Sequence, residues 1–460
     1  MGRRPSIVPE HLETADFRGY EVRFSAEADD ELTRVGPGTP CGDYLRRFWH
    51  PVAMTSEVGD LPLAIRILGE DLVLFRDGSD RFGLVHRRCP HRQASLEYGT
   101  CERQGIRCCY HGWHFDIDGT LLEAPGQPDA AQARLKAHVR LGAYPAFEYK
   151  GLVFAYMGPA QQRPEFPVYD TFELTGLDMV PYKAPFRCNW LQVLDAIVDP
   201  IHTSFLHSSI SREQFSEGFG EVGQMDFFER GNWLLGCNTR RVGDNVWLRL
   251  NELVLPNFTQ AGAAFAADGT ARRYYGRSAF SRWVVPVDDE NSLAIAWANF
   301  GERGDPPEWN TPEGPELIEQ GEIFDRTYEQ RQRFPADAEA VEGMGPITVH
   351  GNENLAPSDK GVAMMRRRLR EQIRGVAKGQ EPGRATDLAL TPVPTYGGDT
   401  VLTMPRAGSG EESDALSRLA REFMEAQFEA DGMPESRRVE FVIDRLQTLE
   451  SEGLRNHDDA

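Results

Sequence analysis

RRCPHRQASLEYGTCERQGIRCCYHGWHFDIDG, residues 87–119, decides how the first half of the chain folds. It holds two short pairs of metal-binding side chains, Cys89 with His91 and Cys108 with His111. Each pair sits in a turn between short apolar runs, FGLVH before the first and HFDIDGTLL after the second. Each loop offers one thiolate and one imidazole, so each reaches across both ends of a bound group. A tetrahedral zinc and a 2Fe–2S cluster with two cysteines on one iron and two histidines on the other both fit this donor set. Zinc sites more often group two cysteines in one pair and two histidines in the other. The flanks favour the cluster. Gly112 lets the backbone come close, Trp113 and Phe115 can cover it, and Tyr110 brings a hydroxyl within reach of a cluster sulfur. Cys109 points away if Cys108 and His111 point in.

Outward from this stretch, LAIRILGEDLVLFRDGSDRFGLVH (residues 63–86) reads as strands joined by tight turns, and GLVFAYMG (151–158) follows in the same texture. Residues 41–160 are therefore expected to be a small all-β domain carrying the cluster, after a polar extension at 1–40. GPAQQRPEFPVYD (158–170) marks the boundary. Residues 161–460 mix strand-like segments (NWLLGCNTRRV, VWLRLNELVL, SLAIAWANF) with a loop at 301–316 and helices at about 319–334, 361–379, 414–430 and 434–452. The fold class expected is α+β: an all-β domain, then an α/β domain whose antiparallel sheet is surrounded by helices. The net charge of −21 argues against nucleic acid and anionic membranes as partners. No apolar run is long enough to span a bilayer, the N-terminus does not read as a signal peptide, and seven sparse cysteines suit a reducing compartment. The expected location is the cytoplasm.

A second constellation lies at LDAIVDPIHTSFLH (194–207), where Asp195, Asp199, His202 and His207 cluster. Two histidines and one carboxylate with open positions form the facial triad of non-haem Fe(II) oxygenases. Pro200 breaks the helical ladder, so the side chains need not keep ideal helical spacing. An electron-transfer cluster needs an acceptor, and the two motifs explain each other.

With GPGTPCGDYLRRFWHPV, HRRCPHRQASLEYG, CCYHGWHFDIDG, NWLQVLDAIVDPIHTSFLH, FPADAEAVEGMGPI and SDKGVAMMRRRLREQI taken together, the chain resembles the catalytic α subunit of Rieske non-haem iron oxygenases, in the phthalate dioxygenase-like branch. The resemblance implies that Cys89, His91, Cys108 and His111 hold a Rieske 2Fe–2S cluster, and that His202, His207 and Asp337 hold mononuclear Fe(II). Glu339 and Glu342 compete for the third position. It implies that Asp199 bridges a Rieske histidine to the iron site of the next subunit, in head-to-tail trimers or dimers of trimers. Asp195 stands where many relatives have Glu, and supports the helix. Cys109 stands where relatives commonly have Pro.

The function implied is a terminal oxygenase that uses O₂ and electrons to hydroxylate an aromatic substrate, expected to be a carboxylate. The alternative product is that of an aromatic O-demethylase. Electrons would come from NAD(P)H through a separate iron–sulfur/flavin reductase, because the sequence has no glycine-rich nucleotide fingerprint and no ferredoxin spacing among Cys101, Cys188 and Cys237. Arg212, Arg240, Arg241 and Arg249 fall in the region expected to build the pocket, where any could pair with a carboxylate; a surface ion pair is the ordinary fate of each. A Rieske electron-transfer protein is the non-enzymatic rival, and the second metal motif argues against it.

Overall fold

The structure, a computed structural model, describes residues 17–19, 21–174, 178–210, 217–262, 274–300, 326–408 and 410–458. The runs flanking the cysteine–histidine pairs form short antiparallel strands. β1 (Trp49–Met54) is followed by β2 (Leu63–Ile67), β3 (Glu70–Arg76) and β4 (Phe82–His86), then by four two- or three-residue strands, β5 (Thr100–Cys101), β6 (Ile106–Arg107), β7 (His114–Phe115) and β8 (Leu121–Glu123). β9 (Ala143–Tyr144), β10 (Ala146–Tyr149) and β11 (Leu152–Tyr156) complete this part. Leu68 and Gly69 both take positive φ, 50° and 77°, the geometry of a two-residue hairpin between β2 and β3. Three sheets result, in orders β2-β3-β4-β9, β5-β6-β7-β8 and β1-β11-β10. Val73, Phe75, Val85, Leu96, Ile106, Phe115 and Leu121 form a core that also encloses Cys89, Cys108 and Trp113.

The second part is built on an antiparallel sheet of eight strands. They are β12 (Asp178–Phe186), β13 (Gln224–Arg230), β14 (Trp233–Val242), β15 (Asn245–Val254), β16 (Phe258–Gly262), β17 (Tyr275–Pro286), β18 (Ser292–Phe300) and β19 (Gly398–Thr403). Their order is β12-β18-β17-β16-β15-β14-β13, with β19 paired to β15 and β17. The predicted strands at 232–242, 246–255 and 292–300 are β14, β15 and β18. Directly opposed residues share a face, so Asn238 and Arg240 of β14 lie on the same side as Arg249 and Trp247 of β15.

The α-helices among the described residues, numbered along the chain, are α1 (Asp30–Thr33), α2 (Pro40–Leu45), α3 (Asp129–His138), α4 (Trp190–Ile197), α5 (Ile201–Ser204), α6 (Tyr328–Arg333), α7 (Asp337–Glu342), α8 (Lys360–Ala377), α9 (Glu412–Glu429) and α10 (Glu435–Asp458). The sequence had marked α8, α9 and α10. The helix expected at 319–334 is seen as α6; residues 319–325 and the loop expected at 301–316 lie outside the described residues. α4 starts where the Asn189 side chain accepts the Leu191 N–H, a standard N-cap. Segments remote in sequence hold that start. Trp190 Nε1 donates to Leu32 O at 3.1 Å, and Asn189 Nδ2 to Thr33 O at 2.9 Å, both buried. α10 is tied to the sheet layer by Arg438, whose guanidinium donates to Asp170 and to Thr395 O. No helix among the described residues is long and apolar enough to cross a membrane.

Candidate functional site

The first cysteine–histidine loop joins β4 to β5, and the second joins β6 to β7. Both close on themselves through the backbone. Cys89 N donates to Ala94 O and Gln93 N to Cys89 O; Cys108 N donates to Trp113 O and Gly112 N to Cys108 O. Gly112 turns the second loop with φ +70°, a value that favours glycine. Cys89 and Cys108 are buried, while Cys109 is exposed and turned away, as its place between the ligands implied. The His91 and His111 rings lie 4.5 Å apart, centre to centre, and Trp113 stacks flat on His91 at 4.4 Å. Tyr110 is 56% exposed, with its ring 3.9 Å from that of His111. Burial pushes the Cys89 thiol up to about 11, so its ionisation needs the charge of a metal. Burial and the neighbouring His111 hold the His91 pKa below its usual value, which keeps the imidazole neutral and ready to ligate. The His91 Nδ1 is buried with no hydrogen-bond partner among the described residues. Two buried thiols and two adjacent imidazoles, one with an orphaned nitrogen, fit a cluster bound through both residue types.

Pro200 lacks the N–H that would continue α4, and the chain breaks at Val198–Asp199 before α5 and a π-turn over Phe205–Ile210. The wider turn places His202 and His207 with rings 5.2 Å apart. Asp337, at the start of α7, meets both. Its Oδ1 lies 3.5 Å from His202 Nε2 and 3.2 Å from His207 Nε2. One ligand atom from each of the three falls within 4.8 Å of the others. Burial resists ionisation of Asp337, but the adjacent His207 and His202 rings hold its carboxyl well below the ordinary range. His202 Nδ1 bonds to the Asp199 backbone oxygen, which fixes the tautomer and leaves the Nε2 lone pair free. Two imidazoles and a carboxylate on one side of an open position make a donor set suited to Fe(II).

Glu339 and Glu342, the competing acids, are engaged elsewhere. Glu339 is paired with Arg331 and Arg326, and Glu342 with Arg331 at 3.3 Å. Asp199 accepts the Ile201 N–H at 3.0 Å and keeps its Oδ2 4.0 Å from His202 Nδ1; burial raises its pKa. Asp195 points away from the triad into a double ion pair: Arg366 of α8 contacts Asp195 at 2.5 and 3.1 Å and Glu353 at 2.6 and 2.9 Å. Asp195 thus supports the helix. Arg366 escaped sequence reasoning, because nothing local in α8 distinguishes it from Arg367 or Arg368.

The four pocket arginines separate. Arg241 pairs with Glu412, the ordinary fate. Arg212 lies outside the described residues. Arg240 is fully buried, donating to Thr203 Oγ1 at 2.8 Å and Glu221 O at 3.1 Å, with Nη1 unpartnered among the described residues. Arg249 donates to Gly262 O and Asn251 Oδ1. Both guanidinium carbons lie 5.3 Å from the Phe219 ring centre. Burial lowers Arg240 to about 9 and Arg249 to about 10, reinforced at Arg240 by repulsion from Arg249.

Residues 48–141 match the Rieske [2Fe-2S] domain family. The chain is 42% identical to the tert-butanol monooxygenase / tert-amyl alcohol desaturase oxygenase subunit of Aquincola tertiaricarbonis, over 98% of this chain and 100% of that one. It is 39% identical to the phenoxybenzoate dioxygenase subunit alpha of Ectopseudomonas oleovorans, over 77% and 87% respectively. Among solved structures, dicamba monooxygenase bound to 3,6-dichlorosalicylic acid shares the fold at a TM-score of 0.54 and 16% identity, covering 73% of this chain and 99% of that one. With both metal motifs in place and relatives similar along nearly the whole sequence, this chain belongs to the oxygenase α subunits of the Rieske non-haem iron oxygenases, oxidoreductases that carry a 2Fe–2S cluster and a mononuclear iron.

Proposed function

We propose that the chain is the terminal oxygenase of a multicomponent system that hydroxylates an aromatic carboxylate. The observation that carries this reading is the convergence of the His202 and His207 Nε2 atoms on the Asp337 carboxylate, in a chain that also holds the Rieske motif. Cys89 and Cys108 would hold one iron of the cluster, and His91 and His111 the other. His202, His207 and Asp337 would hold the mononuclear iron, which when bound supplies O₂ activation.

The protein's own part is positioning and charge. Asp199 fixes His202 through its backbone oxygen and presents a partly exposed carboxylate beside it. The His91–His111 edge is partly exposed in turn. In a head-to-tail trimer, that edge meets Asp199 of the next subunit, and Asp199 becomes the bridge for electron transfer. Arg240 and Arg249 share the sheet face on which Arg240 contacts Thr203, the neighbour of His202. A buried guanidinium whose Nη1 has no partner among the described residues is costly unless an anion compensates it, which supports a carboxylate substrate over a neutral one. An NAD(P)H-dependent iron–sulfur/flavin reductase would be the partner, and the cytoplasm the compartment.

The test is an iron count with a substrate screen. About three irons per chain are expected, two from the cluster and one mononuclear; about two would indicate an electron carrier. Candidate aromatic acids assayed for cis-diol and for formaldehyde separate ring dihydroxylation from O-demethylation. Colourless protein holding zinc would refute both.

A further inference from the structure

The three proposed iron ligands come from two stretches far apart in sequence, α5 with the π-turn that follows it (His202 and His207) and α7 (Asp337). α7 spans six residues, too short to hold itself in place. Glu339 and its arginines fix its first turn, with Glu339 also accepting the Ala336 N–H at 2.9 Å. At its C-terminal end the backbone closes on itself, Gly343 N donating to Glu339 O, Met344 N to Val341 O and Gly345 N to Glu342 O, and one side chain from α4 ties that end to the neighbouring helix. Gln192 of α4 is 1% exposed. Its Nε2 donates to Val341 O at 2.8 Å and to Gly345 O at 3.0 Å, while its Oε1 accepts the Thr348 N–H at 3.0 Å. Both amide protons and the amide oxygen are therefore spent on the end of α7 and the chain just after it. Val341 lies one helical turn beyond Asp337, and Gln192 is on the helix that leads into Asp199 and His202.

We propose, building on the iron-site reading above, that Gln192 is a positioning residue that sets the distance between Asp337 and the two histidines. It touches neither the metal nor substrate. It acts by fastening the third ligand's helix to the one that leads into the histidine-bearing stretch, so the three ligand atoms converge before metal arrives. Met at this position keeps the length and volume but removes the link from α4 to Val341 O, which keeps its bond from the Met344 N–H, and takes away the side-chain partner of Gly345 O and of the Thr348 N–H. Glu keeps the shape and puts a carboxylate against two carbonyl oxygens.

The test uses the full-length holoprotein. The wild type is first checked for about three irons per chain, a result on which the oxygenase reading stands or falls by itself. Gln192→Met and Gln192→Glu are then dialysed against a graded chelator series, and the residual mononuclear iron is read by the EPR signal of its nitric oxide adduct. The proposal expects the Rieske absorption and melting temperature to be kept, Fe(II) affinity to fall about ten- to a hundredfold, as for other partners that orient metal ligands, and the adduct signal to broaden. Wild-type affinity and line shape in Gln192→Met would overturn it. So would loss of cluster and mononuclear iron together with a lower melting temperature, which would assign Gln192 to general stability. If Gln192→Met does not fold, the shape-preserving Gln192→Glu decides by the same readings.

Discussion

Replacing Asp337 by Ala separates metal binding from folding at one position. The carboxylate is the only anion of the donor set, and its Oδ1 lies 3.5 and 3.2 Å from the two histidine Nε2 atoms. That oxygen has no other hydrogen-bond partner among the described residues. Outer partners that merely orient metal ligands are worth about ten- to a hundredfold in affinity. A direct anionic ligand should exceed the upper end, so Fe(II) affinity should fall by more than about 100-fold, or about 2.8 kcal/mol. The assay is iron per chain with the Rieske spectrum as internal reference: about three should become about two at unchanged absorption. Glu342→Gln, made in parallel, should keep the mononuclear iron, because Arg331 holds that carboxylate. Three irons in Asp337→Ala, or loss of the mononuclear iron in Glu342→Gln, would refute the assignment.

Asp199→Ala should retain both metal centres but uncouple NADH oxidation from product formation; tightly coupled turnover in the variant would exclude the bridging role. Arg249→Met should weaken benzoate binding about 10- to 100-fold by calorimetry, the worth of a charge-assisted hydrogen bond, and leave benzamide unchanged; equal losses for both ligands would remove the carboxylate reading. At Glu70, burial opposes charge, but bonds from His86, Tyr144 and Arg46 more than offset it and lower the pKa from 4.5 to about 2. At about 1.4 kcal/mol per unit, that is about 3 kcal/mol of stability. Because the folded value is depressed, this contribution is present above about pH 4.5 and lost as pH falls towards 2. Glu70→Gln should therefore melt below the wild type at pH 7, with the gap closing on acidification; a gap that widens would reverse the sign argued here.

The sequence by itself determined what depends on neighbours along the chain. Each cluster loop is a local turn between two short strands, so spacing and flanking residues made Cys89, His91, Cys108 and His111 the candidate ligands. His202 and His207 were legible for the same reason, with Pro200 announcing the break that lets both face one way. The long helices α8 to α10 followed from apolar periodicity. What remained open depended on contacts between remote segments. PADAEAVEG offers three acids within six residues, and periodicity cannot choose among them. The choice is made by Arg326 and Arg331, which occupy Glu339 and Glu342, and by the placement of α7 against α4, which leaves Asp337 facing the histidines. Arg240, Arg241 and Arg249 looked equivalent in sequence until the sheet register buried Arg240, half-buried Arg249 and left Arg241 beside Glu412. Gln192 carried no signal at all, since a glutamine in an apolar helix becomes meaningful only when the backbone groups it satisfies arrive from about 150 residues away. Local hydrogen bonding and spacing made the candidate ligand pairs readable, whereas burial and ion pairing, which depend on the whole fold, single out Asp337 as the acid placed to complete the proposed metal site.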